Sequence, residues 1–424
     1  MVENRKNNIA KIKPLQNPDD IIMAENDTKN VKVKDFFKRN VVINEIDEIL
    51  NFKPDTLIGI DQVSSEKLAE HNIKNIEQMA DVQLDTLPDI KEIPNSILVK
   101  WVKIAQVVVR SIKEQLKTHK KLLMIGLDNG GKTSILAVLQ DRFSIIKSLL
   151  PTRGVKREKL DFFGYPIISW DLGGQVQYRE KLYFNRPELF FTEVDLVLYV
   201  VDTQDTERFV EAANYFRQVL KALSELNEIP PVLVVLSKSD QDLRVTREWQ
   251  NNVNAIKTKF THIINEFEKF SIDFSDTTIY QKETIMQMFS VALKKVSDTS
   301  EIIENILEDF TNTIEGKATS LISMDGLIFG SFNTTDTDEA LLNNTALIMQ
   351  TLSNFHNSIG LVRENTITLD FPLNRFTIRG EKLFEYSELR IPVYLWLLSE
   401  NPDLLYEKID YFREQLLPLI NMFL

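Results

Sequence analysis

Nine residues, GLDNGGKTS at positions 126–134, constrain this chain more than any other stretch. They fit the spacing G-x-x-x-x-G-K-[ST] through Gly126, Gly131, Lys132 and Thr133, directly after the apolar run KLLMI. An apolar strand that ends in glycines and restarts as a helix leaves a bend lined by backbone amides. Small residues let those N–H groups curl around an anion without Cβ clashes. The helix N-terminus adds positive partial charge. The expected occupant is a polyphosphate, held by Asp128, Asn129, Gly130, Gly131, Lys132, Thr133 and Ser134. Lys132 would reach the β/γ oxygens, Thr133 would bind Mg²⁺ and Ser134 would meet the α-phosphate.

Three further stretches complete the pattern. SWDLGG closes an apolar strand, placing Asp171 to hold a Mg²⁺-bound water and the Gly174 N–H to sense a γ-phosphate. PTRG supplies Thr152, a second hydroxyl for the same Mg²⁺ when its loop closes. VVLSKSD, at another strand end, offers Ser237, Lys238 and Asp240. A carboxylate there accepts from guanine N1–H and the 2-amino group. Adenine lacks both donors, so the unpaired acid would reject it. The Lys238 stem can lie over the purine ring.

Strands and helices alternate from 121 to about 297, which predicts a mostly parallel sheet covered by helices on both faces. LDFF and PIISW are separated only by Gly164-Tyr165, which predicts an antiparallel hairpin. One helix region is expected near 178–190, and a last helix from about Glu283. After it, the pattern runs helix, hairpin (turning at Asp325-Gly326), helix, three strands and a closing helix, an α+β sandwich with an open sheet face or edge.

Before the phosphate loop, residues 1–40 read as a polar, disordered tail and 41–117 as an all-α unit. Helices are expected from about Ser65, with a left-handed stop at Asn72, from Asn75, and from a cap near Asn95. The last would carry its apolar stripe on Ile97, Trp101, Ile104, Val108 and Ile112. The unit resembles a helix-hairpin-helix with Gly59 in the hairpin, although Asp61 stands where that family usually has a second glycine. Residues 41–100 hold 12 acidic against 5 basic residues, the wrong sign for DNA. The whole chain, with 62 Asp and Glu against 50 Lys and Arg, is likewise unsuited to broad binding of nucleic acid or anionic membrane. With no cysteine, thiolate metal sites and disulfides are excluded, and the four histidines show no metal spacing.

Together these motifs resemble the Ras superfamily of small GTPases, in its Arf and Rag branches. GLDNGGKTS and WDLGGQ, with REKLYF after it, are similar to Arf segments. FSDTTIYQKETIMQMF is similar to the guanine-contacting segment of Rag GTPases. The resemblance implies that Thr278 and Ile279 sit over the base. It also implies that Gln175 orients the attacking water, with Lys132 and Thr152 as the other catalytic residues. The ligands implied are GTP, GDP and Mg²⁺. The domains would be 118–297, the α/β P-loop GTPase, and 298–424, an α+β module resembling roadblock and longin domains. The mixture resembles archaeal GTPases. Ser237 departs from the Asn or Thr usual at its position, and has fewer hydrogen-bonding sites than Asn. Val2 stands where myristoylation would need Gly, so only indirect membrane contact is expected.

The function these readings imply is a cytoplasmic GTP switch, recruited to membranes only through partners. It would be slow without an activating protein, on the order of 10⁻⁴ to 10⁻² s⁻¹ by analogy with unassisted GTPases. Exchange proteins, and a homodimer or heterodimer through the last module, are the implied partners. The alternative is a nucleotide-locked scaffold with little or no turnover.

Overall fold

A computed structural model describes residues 33–43, 46–84, 86–113, 120–140, 142–162, 165–297, 299–324, 326–361, 365–386 and 391–421. The turn residues Gly164 and Asp325 lie outside this set, as do residues 1–32 of the expected tail. The chain divides into two compact units, 1–113 and 114–424.

In the first unit the described elements are helices and one isolated bridge, Phe37 to Leu57. Helix α1 (Gln62–Glu70) starts at Asp61, whose carboxylate accepts from Ser64 N at 2.7 Å. Asp61 is thus a helix cap, where a second glycine would leave that amide unsatisfied. Asn72 takes the left-handed turn (φ 65°). Asn75 caps α2 (Ile76–Ala80). The first turn of α3 (Asn95–Lys113) closes onto the Pro94 carbonyl.

One expectation needs correction here. Packing begins before residue 41, because Val33, Phe36 and Phe37 are buried. On α3 the expected stripe is buried at Trp101, Ile104 and Val108 and widens to Leu98, Val102, Ala105 and Val109, while Ile97 and Ile112 are only half-buried. The helix packs on α2 and on the turn at Ile46–Asn51, which covers a face broader than the stripe read in the sequence.

The second unit opens with a six-stranded sheet made of β1 (Lys120–Gly126), β2 (Val155–Phe162), β3 (Tyr165–Leu172), β4 (Leu196–Asp202), β5 (Val232–Ser237) and β6 (Ile272–Asp276). Their order is β2-β3-β1-β4-β5-β6, parallel except for the β2–β3 hairpin. β2 begins at Val155, well before LDFF. As an edge strand it tolerates the charged KREK run that hides it in the sequence. Alternation sends successive side chains to opposite faces. Leu123, Ile125, Val197 and Tyr199 join the cluster formed with the helices Phe209–Glu225 and Arg247–Ile264. The helices after the phosphate loop (Lys132–Leu139) and at Lys282–Val296 pack together and take strand contacts of their own. The single helix expected near 178–190 is instead broken. A short turn at Val176–Tyr178 leads into a π turn at Arg179–Tyr183, then a five-residue helix at Pro187–Phe191. Pro187 suits only a helix start, so it divides the run.

A second, antiparallel sheet follows, from β7 (Gly316–Ser323), β8 (Ile328–Asn333), β9 (Thr366–Phe371), β10 (Phe376–Tyr386) and β11 (Ile391–Ser399), in the order β8-β7-β11-β10-β9. Helix Asp336–Ser358 puts Leu342 and Ala346 into a core with Ile322, Tyr394 and Trp396. Helix Ser300–Thr313 packs on β7 and β8 and on the closing helix Leu405–Asn421.

The border expected at 297/298 falls inside one compact unit. The physical link is helix Lys282–Val296. Its Ser290 hydroxyl donates to Met286 O at 2.7 Å and accepts from Ile328 N of β8 at 3.0 Å, all buried. Lys294 pairs with Glu304 at 2.7 Å across the same joint.

Candidate nucleotide site

Parallel strands end on one side of the first sheet, and ligand crevices form there. A cleft of about 600 Å³ lies there, lined by Asp128, Asn129, Gly131, Lys132, Thr133, Ser134, Thr152, Gly174, Gln175, Ser237, Lys238, Asp240 and Ile279 among others. These sequence-distant motifs therefore meet in one space.

The cradle is made by backbone that side chains would obstruct. Gly126 (φ 145°) ends β1 so close to β4 that a Cβ would run into the Val200 carbonyl. Asn129 (φ 59°) and Gly131 (φ 90°) turn left-handed, which aims successive amides inward. Lys132 is buried at the base, donating to Gly126 O at 3.0 Å and Leu127 O at 2.6 Å. Burial pushes its ammonium down to about 8, against the pull of Asp171 and Asp128. A buried cation with shared donors is suited to a polyphosphate.

Beside it, three oxygens converge. Thr133 Oγ1 donates to Asp171 Oδ2 at 2.5 Å, Thr152 Oγ1 lies 3.0 Å from the same oxygen, and the two hydroxyls are 3.0 Å apart. Burial raises the Asp171 pKa, and the hydroxyls of Thr133 and Thr152 work against that rise. Its other oxygen, Oδ1, is buried without a hydrogen-bond partner. A buried carboxylate with one unsatisfied oxygen next to two hydroxyls is a hard, all-oxygen donor set. It fits Mg²⁺, which keeps waters and takes few protein ligands.

Gly173 and Gly174 hold the next loop against both neighbours. A Cβ on Gly173 would stand 3.1 Å from Gly154 O and closer still to Thr152 O. A Cβ on Gly174 would stand 2.5 Å from Gly126 O and closer to Asp128 N. Only glycines allow this approach. Gln175 follows at the cleft wall, its Oε1 accepting from Gln177 Nε2 at 2.9 Å.

At the base end, the Ser237 hydroxyl donates to Gly130 O (2.7 Å) and Val201 O (3.1 Å), so it ties the phosphate loop to β4 and β5. Lys238 (φ 57°) pairs with Asp202 at 2.5 Å. Asp240 lines the cleft, and its Oδ1 accepts from the Thr278 hydroxyl. This corrects the reading of Thr278. It is buried, its hydroxyl on Asp240, and absent from the cleft lining, where Ile279 and Tyr280 stand. Gly130 likewise serves through its carbonyl, not at the lining.

Several residues were not legible as functional. Arg208 donates to Asp128 at 2.7 Å and pairs with Glu211 at 2.9 Å; Glu211 in turn holds Arg179 of the π turn. The phosphate loop is thereby linked to the segment after Gln175. The charges in DTERFVE were the only signal, and without contacts they read as a solvated helix start. Ile146, Leu149 and Leu150 form an apolar wall that no motif announced. Among the described residues no helix is long and apolar enough to cross a membrane, and no cluster of His, Asp or Glu forms a further metal site.

Against known proteins, the profile of the Gtr1/RagA G protein conserved region matches residues 121–356, over half of the 424 residues. ADP-ribosylation factor-like protein 3 of Chlamydomonas reinhardtii is 31% identical over 133 residues, covering 31% of this chain and 70% of that protein. ADP-ribosylation factor 3 of Arabidopsis thaliana is 35% identical over 123 residues, 29% of this chain and 62% of its own length, less than two thirds. The structure of the Arl6 small GTPase of Trypanosoma brucei with bound nucleotide analogue aligns over 42% of this chain and 97% of that one, with 17% identity and a TM-score of 0.33.

Proposed function

The chain belongs to the Gtr1/RagA G-protein family, and on that premise we propose that it is a molecular switch. It binds GTP with Mg²⁺, hydrolyses it slowly to GDP, and signals the difference to protein partners. The observation that carries this reading is the convergence of Thr133, Thr152 and Asp171 beside Lys132, with Gly174 pressed on the phosphate loop.

The geometry supports the following assignment of roles. The loop amides and Lys132 hold the phosphate chain. Thr133, Thr152 and, through water, Asp171 hold Mg²⁺, which when bound supplies charge neutralisation on the phosphates. Gln175 orients the attacking water. Asp240 selects guanine, positioned by the Thr278 hydroxyl. Loss of the γ-phosphate frees the loops around 150–157 and 172–186.

The flanking regions report the state. The module from 298 onward, roadblock-like in its order of elements, pairs with a second such module as a homodimer or heterodimer. Exposed Ile348, Leu352 and Phe355 on one helix support that, as does β9 at the end of its sheet. Partners bring the protein to membranes from the cytoplasm.

Single-turnover hydrolysis tests the core of this. Wild type should convert bound GTP to GDP, and Gln175→Leu should stop it while nucleotide binding persists. Binding without turnover in both, even with candidate activating proteins present, would leave the nucleotide-locked scaffold as the correct reading.

A further inference from the structure

Tyr183, in the REKLYF segment, has no role assigned by the motifs, yet its hydroxyl sits at the junction of the two loops that close over the phosphates. It donates to Gly154 O at 2.7 Å and lies 3.2 Å from Gly173 O. Gly154 is two residues after Thr152, and Gly173 is two after Asp171 and directly before Gly174. Gly154 O also accepts from Gly173 N at 2.8 Å. One carbonyl thus takes two donors, and the phenol fixes both loops from the side away from the cleft.

The ring is as constrained as the hydroxyl. Tyr183 is completely buried and packs edge-on to Phe190 at 5.1 Å, which itself meets Trp170 edge-on at 6.4 Å. Burial raises the phenol's pKa above its ordinary value, so it stays a donor. Within the π turn at Arg179–Tyr183, the residue arrives from behind the loop it braces.

We propose that Tyr183 is a positioning residue for triphosphate recognition: its hydroxyl clasps the Thr152 loop to the Gly174 loop in the closed arrangement. The inference rests on the switch reading above. A bond present in only one of two conformations adds to the affinity of the ligand that selects it, and not to that of the other. GTP, which would engage Thr152 and Gly174 together, gains from the clasp; GDP does not.

The test is Tyr183→Phe in the full chain, which keeps the ring and deletes one oxygen. Equilibrium affinities for GDP and a non-hydrolysable GTP analogue are measured with Mg²⁺. The analogue should bind about two- to tenfold more weakly, the worth of one hydrogen bond, with GDP affinity held within twofold. Single-turnover hydrolysis should slow in parallel. As a control, Phe190→Leu disturbs the ring's packing but keeps the hydroxyl. It should lower the melting temperature and leave the ratio of the two affinities unchanged. Equal losses for both nucleotides in Tyr183→Phe, or no loss for either, would overturn the clasp. A wild-type chain that binds neither nucleotide would instead overturn the switch reading, and the clasp with it.

Discussion

Substituting Gly174 by alanine probes the closed arrangement at its tightest point. The new methyl would stand 2.5 Å from Gly126 O and nearer still to Asp128 N. These are backbone atoms of the phosphate loop, which cannot swing aside as a flexible side chain would. Non-bonded atoms rest near 3.5–4.0 Å, so the Gly173–Gly174 segment must retreat by roughly an ångström. Gly173 N now meets Gly154 O at 2.8 Å, and the Tyr183 hydroxyl reaches Gly173 O at 3.2 Å. A shift of that size takes both beyond useful hydrogen-bond distance. The Gly173 N–H bond is worth about 1 kcal/mol, so the closed form loses about fivefold in its population relative to the open one, somewhat more with the weaker Tyr183 contact. Competition binding with GDP and a non-hydrolysable GTP analogue reads the effect. The analogue should lose about fivefold or more and GDP little. Equal affinity changes for both would show that Gly174 acts on the cradle itself and that the closed-loop reasoning is wrong.

Other changes address other parts of the site. Asp240→Asn exchanges one acceptor oxygen for a donor, so calorimetry should show weaker GDP binding and a narrowed preference over ADP, by about 2 kcal/mol or more. Thr133→Ala removes a hydroxyl that bonds Asp171; nucleotide affinity in Mg²⁺ should then fall to the level wild type shows in EDTA, and adding EDTA to the variant should change little. Ser290→Ala leaves the buried Ile328 amide without its acceptor, and urea unfolding should report a loss of about 1–3 kcal/mol, in a single transition for the two sheets if the joint is rigid.

The sheet order and the site were legible to different depths. Consecutive apolar residues in β1, β4 and β5 announce strands buried on both faces, and the ends of β1 and β5 carry motif residues. Motifs reveal residues whose chemistry is local, such as the Gly126–Thr133 loop. They miss those whose role depends on a neighbour distant in sequence. Arg208 matters because Asp128 is 2.7 Å away, and Tyr183 because Gly154 is. β2 was half hidden because an edge strand exposes charged residues. Thr278 reads as a base contact because nothing local in the sequence shows that its hydroxyl donates to Asp240.

The claim beneath all of this is selective capture of a guanine nucleotide by an acid at the ring and amides at the phosphates. Isothermal titration of the nucleotide-stripped full chain with GDP and with ADP, both in Mg²⁺, tests it directly. GDP should bind more tightly by at least about a hundredfold, since Asp240 would be left unpaired against adenine. Equal affinities for the two would contradict the account.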